Sequence, residues 1–208
     1  MRIFITGCAK SGTTLLARLM HSFNIPVHSG EISLRDLTKS EVTNIVGKRS
    51  EYTIFSNILQ RKDINEQKKL IKQKNINVIN IYRNGVDVLE SFERDWGYWN
   101  PLIWCESIRQ MQDYQDLIML NVRYEDLVRY PNAIQNLIRS KIQVKPEYKF
   151  SEYTENTPKE LFPTNDKRYK IRPINGDRIE KNFNVRKDGI DIDYFNRQME
   201  SLGYEPVK

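Results

Sequence analysis

Cysteine and histidine are scarce in this chain, with two of each among 208 residues. Cys8 and Cys105 lack a C-x-x-C neighbour, and His21 and His28 stand at no zinc-binding spacing from them. Neither a disulfide framework nor a structural metal site is therefore expected. No apolar run reaches the roughly 18 residues that cross a membrane. The chain enters an apolar stretch at Arg2 without the charged-then-apolar opening of a secretory signal, so a soluble, cytoplasmic protein without a membrane partner is expected. Also missing are a Pro/Gly/Ser-rich linker and a break in composition, which points to one domain over residues 1–208. There is no block of like charge. The 33 Lys and Arg against 27 Asp and Glu leave +6 spread along the chain, compatible with an anionic cofactor or acceptor but too dispersed to indicate nucleic acid. The most basic stretch, residues 67–74, has the spacing of a solvated helix face.

What the chain does have is concentrated near its start. Residues 2–14, Arg-Ile-Phe-Ile-Thr-Gly-Cys-Ala-Lys-Ser-Gly-Thr-Thr, read as a short apolar strand running into a phosphate-binding loop with a displaced lysine. A nucleotide-hydrolysing loop places lysine directly after its second glycine, where it reaches the β- and γ-phosphates. Here Gly7 and Gly12 keep the frame, position 13 is Thr, and the loop's lysine is Lys10. Backbone N–H groups and the Thr13 and Thr14 hydroxyls at the start of a helix still suit an anion, because the helix dipole favours negative charge there.

Beyond the loop, strands alternate with helices. Leu16, Leu19, Met20 and Phe23 form the i, i+3, i+4, i+7 stripe of a helix lying on a sheet, and Pro26 ends it. Asp63 followed by Glu66 suggests a capping-box start for a helix to about Lys74, leading into a β-branched strand over 76–82. Helices are expected over 85–94 and 102–114, a strand over 117–122, a helix from Pro131 through Ile138, and a last helix over 193–202 closed by Gly203. The polar stretch 148–178 is open to two readings, a lid or a long loop. This alternation predicts an α/β fold in which a P-loop NTPase-like parallel sheet is flanked by helices in a three-layer α/β/α arrangement, with ligands at the carboxyl ends of the strands.

Strand 76–82 delivers Arg83 to such an end, and Ser91 follows eight residues later on the next helix. A guanidinium binds phosphate as a planar fork, and a serine two turns into the helix can donate to the same group. A second phosphate pocket is the expectation.

These residues carry a family resemblance. Lys10-Ser11-Gly12-Thr13-Thr14 resembles the 5′-phosphosulfate loop of sulfotransferases, and the Arg83-x7-Ser91 spacing resembles their 3′-phosphate motif. Val122 to Val128, containing Tyr124-Glu125-Asp126, resembles a further segment of that family, and residues 176–183 loosely resemble its cofactor loop without the tryptophan. The resemblance implies 3′-phosphoadenosine 5′-phosphosulfate (PAPS) as co-substrate, adenosine 3′,5′-bisphosphate (PAP) as product, no metal requirement, and a hydroxyl-bearing acceptor. It further implies cofactor contacts from Lys10, Ser11, Gly12, Thr13, Thr14, Arg83, Ser91, Tyr124 and Lys181, with Arg172 or Arg178 as additional candidates. Glu125 and Asp126 are equally open to a reading as turn-capping or ion-pairing groups.

Lys10 is then the expected catalytic lysine at the leaving oxygen. Glu31 is the candidate base, because Val27-His28-Ser29-Gly30-Glu31 resembles the glutamate-bearing stretch of protein-tyrosine sulfotransferases. His28 is the rival, since imidazole titrates near neutral pH. The second lysine of tyrosine sulfotransferases has no counterpart near Asn57; Lys48, Arg49, Arg61 or Lys62 could replace it, or Lys10 could act alone. Trp96, Tyr98, Trp99 and Trp104 could stack on an acceptor ring or belong to the core. Two alternatives stay open at this point: a P-loop kinase or NTPase, and a non-catalytic nucleotide-binding protein.

Overall fold

In the computed structural model, β1 (Arg2–Thr6), β2 (Val27–Glu31), β3 (Ile45–Lys48), β4 (Ile76–Tyr82) and β5 (Ile118–Arg123) form one sheet in the order β2-β3-β1-β4-β5. The structure describes residues 1–42, 44–48, 64–97, 101–156 and 191–207. Every adjacent pair of these strands is parallel, so all five carboxyl ends lie along one edge of the sheet. The expectations for Arg49, Asn57, Arg61, Lys62, Asp63, Tyr98, Trp99, Arg172, Arg178 and Lys181, and for the stretch from 157 to 178, fall outside the described residues.

The pleat sorts β1 between two layers. Ile3 and Ile5 join Ile79, Ile81 and Val122 on one face, where α1 (Thr13–Leu19) and its 3-10 continuation Met20–Phe23 supply Leu16, Leu19, Met20 and Phe23. Those four side chains are at most 2% exposed, as the helical stripe requires. α7 (Pro131–Ile142) covers the same face through Ile138. Phe4 points the other way, into a cluster with Leu34 and Leu37 of α2 (Leu34–Lys39) and Ile71 of α3 (Ile64–Gln73). Nearer the carboxyl edge, α4 (Gly85–Trp96), α5 (Pro101–Asp113) and α9 (Ile192–Ser201) pack Val88, Phe92, Trp104, Ile108, Phe195 and Met199 together. Two short helices complete the described residues, α6 (Tyr124–Arg129) and α8 (Tyr153–Asn156).

Four elements go beyond the sequence expectations, α6 and α8 among them, the latter within the start of the 148–178 stretch. β3 inserts between β2 and β1, and its Ile45, Val46 and Gly47 are all buried, so it shows no alternation for a periodicity argument to detect. α2 begins at Ser33, whose hydroxyl accepts the N–H of Asp36 at 3.0 Å. α7 also runs to Ile142 rather than Ile138, ending where Gln143 takes a left-handed conformation at φ 58°.

Candidate functional site

The loop between β1 and α1 is shaped by what presses on it. A Cβ on Gly7 would lie 2.1 Å from the carbonyl oxygen of Ile81, and one on Gly12 would lie 2.5 Å from the Tyr124 ring. With φ of 152° and 103°, both positions are reserved for glycine by backbone and by space. Between them Ser11 is completely buried, its Oγ 2.6 Å from the Cys8 carbonyl and 3.0 Å from the Ile81 carbonyl, while its N–H donates to Cys8 at 3.0 Å. Ser11 thus braces the loop against β4, and its hydroxyl proton and N–H are already engaged. The N–H groups of Thr13 and Thr14 open α1, whose N-cap Gly12 supplies no side-chain cap. They are the groups that a helix start leaves for an external acceptor.

Arg83 meets this loop directly. Its Nη1 donates to the carbonyl of Lys10 at 3.3 Å, its guanidinium lies 4.5 Å from the centre of the Tyr124 ring, and its Nη2 pairs with Asp87 at 3.4 Å. Its Nε is buried without a hydrogen-bond partner among the described residues. Burial pushes the Asp87 carboxyl upward, and the Arg83 charge opposes that shift. Trp104 is fully buried and donates its indole N–H to the Arg83 carbonyl at 3.1 Å, so it belongs to the core and anchors the strand end instead of meeting an acceptor ring.

The turn after Arg83 is held from two sides. Asn84 caps α4, its side chain accepting from the Val86 N–H at 2.9 Å, and its own N–H donates to Glu125 at 3.0 Å. Glu125 also accepts from the Tyr204 hydroxyl at 2.8 Å and pairs with Arg123 at 3.5 Å. The Tyr124-Glu125 pair therefore divides its work: the ring packs on the loop glycine and Arg83, and the carboxylate fixes the turn that presents Arg83.

On α4, Asp87, Ser91 and Asp95 recur at four-residue steps on one helix face. Ser91 is buried, with Arg94 Nη2 at 3.5 Å from its Oγ. From a left-handed backbone at φ 69° the Lys10 ammonium crosses to Asp95 at 2.9 Å. Arg94 bonds the other oxygen of Asp95 at 3.0 Å. Burial alone would push the Asp95 carboxyl up, but the hydrogen bonds from Lys10 and Arg94 outweigh it and hold it below the usual carboxylate range. Asn84, Asp87, Arg94, Asp95 and Trp104 were not singled out from the sequence as contributors to the Lys10–Arg83 site. For the two aspartates, the four-residue repeat around Ser91 was the available signal.

Glu31 is exposed at the carboxyl end of β2, the edge strand among the described residues, in register with Lys48, which is in turn in register with Ile5. Two strand spacings put it about 10 Å to the side of β1 on the same edge. Burial pushes the Lys48 ammonium down, the Glu31 carboxylate opposing and Arg18 adding to the shift. Of the four basic residues offered for a second lysine, Lys48 is the one among the described residues. His28 turns its Nδ1 onto its own strand, 3.3 Å from the Gly30 nitrogen and 3.2 Å from the Gly30 carbonyl. Among the described residues no three His, Cys, Asp or Glu side chains gather to hold a metal ion, and no helix is long and apolar enough to cross a membrane.

By sequence, no family model and no curated protein matches this chain. By structure, the sulfotransferase domain of the Synechococcus PCC 7002 olefin synthase is similar, with a TM-score of 0.69 at 18% identity, covering 99% of this chain and 95% of that one. The sulfotransferase domain from the curacin biosynthetic pathway matches with a TM-score of 0.62 at 16% identity over 99% of this chain and 98% of its own. Mouse sulfotransferase SULT7A1, solved in complex with PAP, matches with a TM-score of 0.51 at 16% identity over 96% and 81%. The chain therefore has the sulfotransferase fold.

Proposed function

We propose that this protein is a PAPS-dependent sulfotransferase acting on a hydroxyl group of a carbohydrate, a tyrosyl side chain or a small metabolite. The observation that carries the reading is the 3.3 Å bond from Arg83 to the Lys10 carbonyl. It joins the glycine loop to the arginine anchor as two adjoining anion sites, which suits a nucleotide phosphorylated at both 5′ and 3′ positions. The buried Nε of Arg83, unpartnered among the described residues, is a donor that such a second phosphate would satisfy. Fold likeness to sulfotransferase domains, one of them solved with PAP, supports the same reading. So does threonine at position 13, where a nucleotide-hydrolysing loop carries lysine.

The donor, when bound, supplies an activated sulfuryl group on a 5′-phosphate. The chain's own groups would act on that arrangement as follows. The N–H groups of Thr13 and Thr14 and the Lys10 ammonium stabilise charge on the leaving phosphate oxygen, to which the S–O bonding pair passes as the acceptor oxygen bonds to sulfur. Glu31 takes the acceptor's hydroxyl proton. Arg83 and Ser91 hold the 3′-phosphate, Tyr124 packs beside it, and the sequence resemblance adds Lys181 as a nucleotide contact. Ser11 and Gly12 serve by shaping the loop. The proposal includes one domain, no metal requirement and a cytoplasmic setting.

Calorimetry tests the reading. PAP is expected to bind without magnesium and more tightly than ATP with magnesium, and Arg83→Ala should weaken PAP by about 10- to 100-fold while circular dichroism stays native. Preference for magnesium–ATP would favour a kinase or NTPase instead. A following screen of hydroxyl acceptors with radiolabelled PAPS would identify the acceptor.

A further inference from the structure

Arg83 and Lys10 are each matched by a carboxylate on one face of α4. Asp87 takes Arg83 and Asp95 takes Lys10, with Ser91 midway between them. The second pairing is the unusual one. Asp95 lies in the last turn of α4, just before the C-cap Gly97, where the helix dipole disfavours negative charge. Asp95 breaks that local preference, and besides Arg94 of its own helix its carboxylate reaches the loop lysine, 85 positions away in sequence. Lys10 is thereby held at both ends, its carbonyl by Arg83 and its ammonium by Asp95. Its left-handed backbone directs the side chain out of the loop toward α4.

We infer that Asp95 is a positioning residue that holds the Lys10 ammonium away from the 5′ anion site until a bound ligand draws it across. This rests on the sulfotransferase reading. A ligand must then compete with a carboxylate for the loop's lysine, and its apparent affinity falls by the fraction of molecules in which Lys10 is released. The cost applies to the spent nucleotide as well, so Asp95 lowers retention of PAP and favours its exchange for fresh donor.

The test is a double-mutant cycle read by calorimetry with PAP. Asp95→Asn is expected to tighten PAP about three- to tenfold, the scale of a partly buried ion pair. In a Lys10→Ala background the same substitution should change the dissociation constant by less than about twofold, and Asp95→Glu, which retains the carboxylate, should stay near the parent. A purely structural aspartate predicts unchanged or weaker binding in Asp95→Asn, and that result overturns the inference. Equal tightening with and without Lys10 also overturns it, since Asp95 would then be acting on the ligand directly. A second measurement needs no nucleotide: acetylation of Lys10 in the free protein, followed by peptide mass spectrometry, should run about three- to tenfold faster in Asp95→Asn. If the parent binds no PAP, the donor reading fails, while the acetylation rates still decide whether Asp95 holds the lysine.

Discussion

At the level of single residues, Glu31 carries the sharpest expectation. It stands exposed at the end of β2 opposite Lys48, away from the anion-binding groups, so removing its charge should spare nucleotide binding. Glu31→Gln is expected to lower kcat by about 10²- to 10⁴-fold and to leave the PAP dissociation constant within about twofold. An unchanged kcat would transfer the base role to another group, with His28 next in line.

Among the elements, the junction from β4 into α4 depends on a contact from the far end of the described chain. The Tyr204 hydroxyl bonds Glu125, which bonds the Asn84 N–H next to Arg83. Burial, together with the Glu125 charge and hydrogen bond, pushes the Tyr204 phenol above its ordinary value, so it stays a donor throughout the neutral range. Tyr204→Phe removes that donor and leaves a carboxylate that is only 8% exposed with fewer partners. Urea unfolding should show a loss of about 1–3 kcal/mol. The guanidinium of Arg123, 4.3 Å from the centre of the Tyr204 ring, should keep the ring seated in the variant, so the deficit reports the hydroxyl rather than a cavity.

For the molecule as a whole, alkaline pH is the informative stress. Burial pushes the Cys105 thiol up to about 12, and burial also raises the phenols of Tyr82 and Tyr204. In each case the folded state holds a proton that the unfolded chain would release. Their stabilising contribution is therefore complete below the unfolded values, near 9 for Cys105 and 10 for the tyrosines, and is lost as pH climbs toward the folded ones. Lys48, with its lowered value, has the opposite sign and gives back part of the loss as pH approaches the ordinary lysine range. Tm should fall between pH 8 and 11, and the fall should be shallower in Cys105→Ala. At pH 8 the folded protein should resist iodoacetamide at Cys105, because a thiol near 12 is about 10⁻⁴ thiolate. Both cysteines should label once the protein is unfolded in urea.

Much of the architecture was legible along the chain because it depends on neighbours in sequence. The 76–82 strand, the stripe on α1, proline at the start of α7 and Gly203 after α9 are local signals, and the elements they announce are present. A parallel sheet with its strand ends along one edge follows from their alternation. β3 left no such trace, since a strand buried on both faces carries no alternation, and its place between β2 and β1 depends on pairing across the sheet. The anion site divides in the same way. Gly7, Gly12, Lys10 and Arg83 could be picked out from spacing, but the direction of each charge could not. Ser11 turned inward onto β4, Trp104 committed to the Arg83 carbonyl, and Lys10 drawn to Asp95 are outcomes of which groups the fold brings within hydrogen-bond reach. Those encounters join residues 21 to 85 positions apart, a range over which local periodicity carries no information.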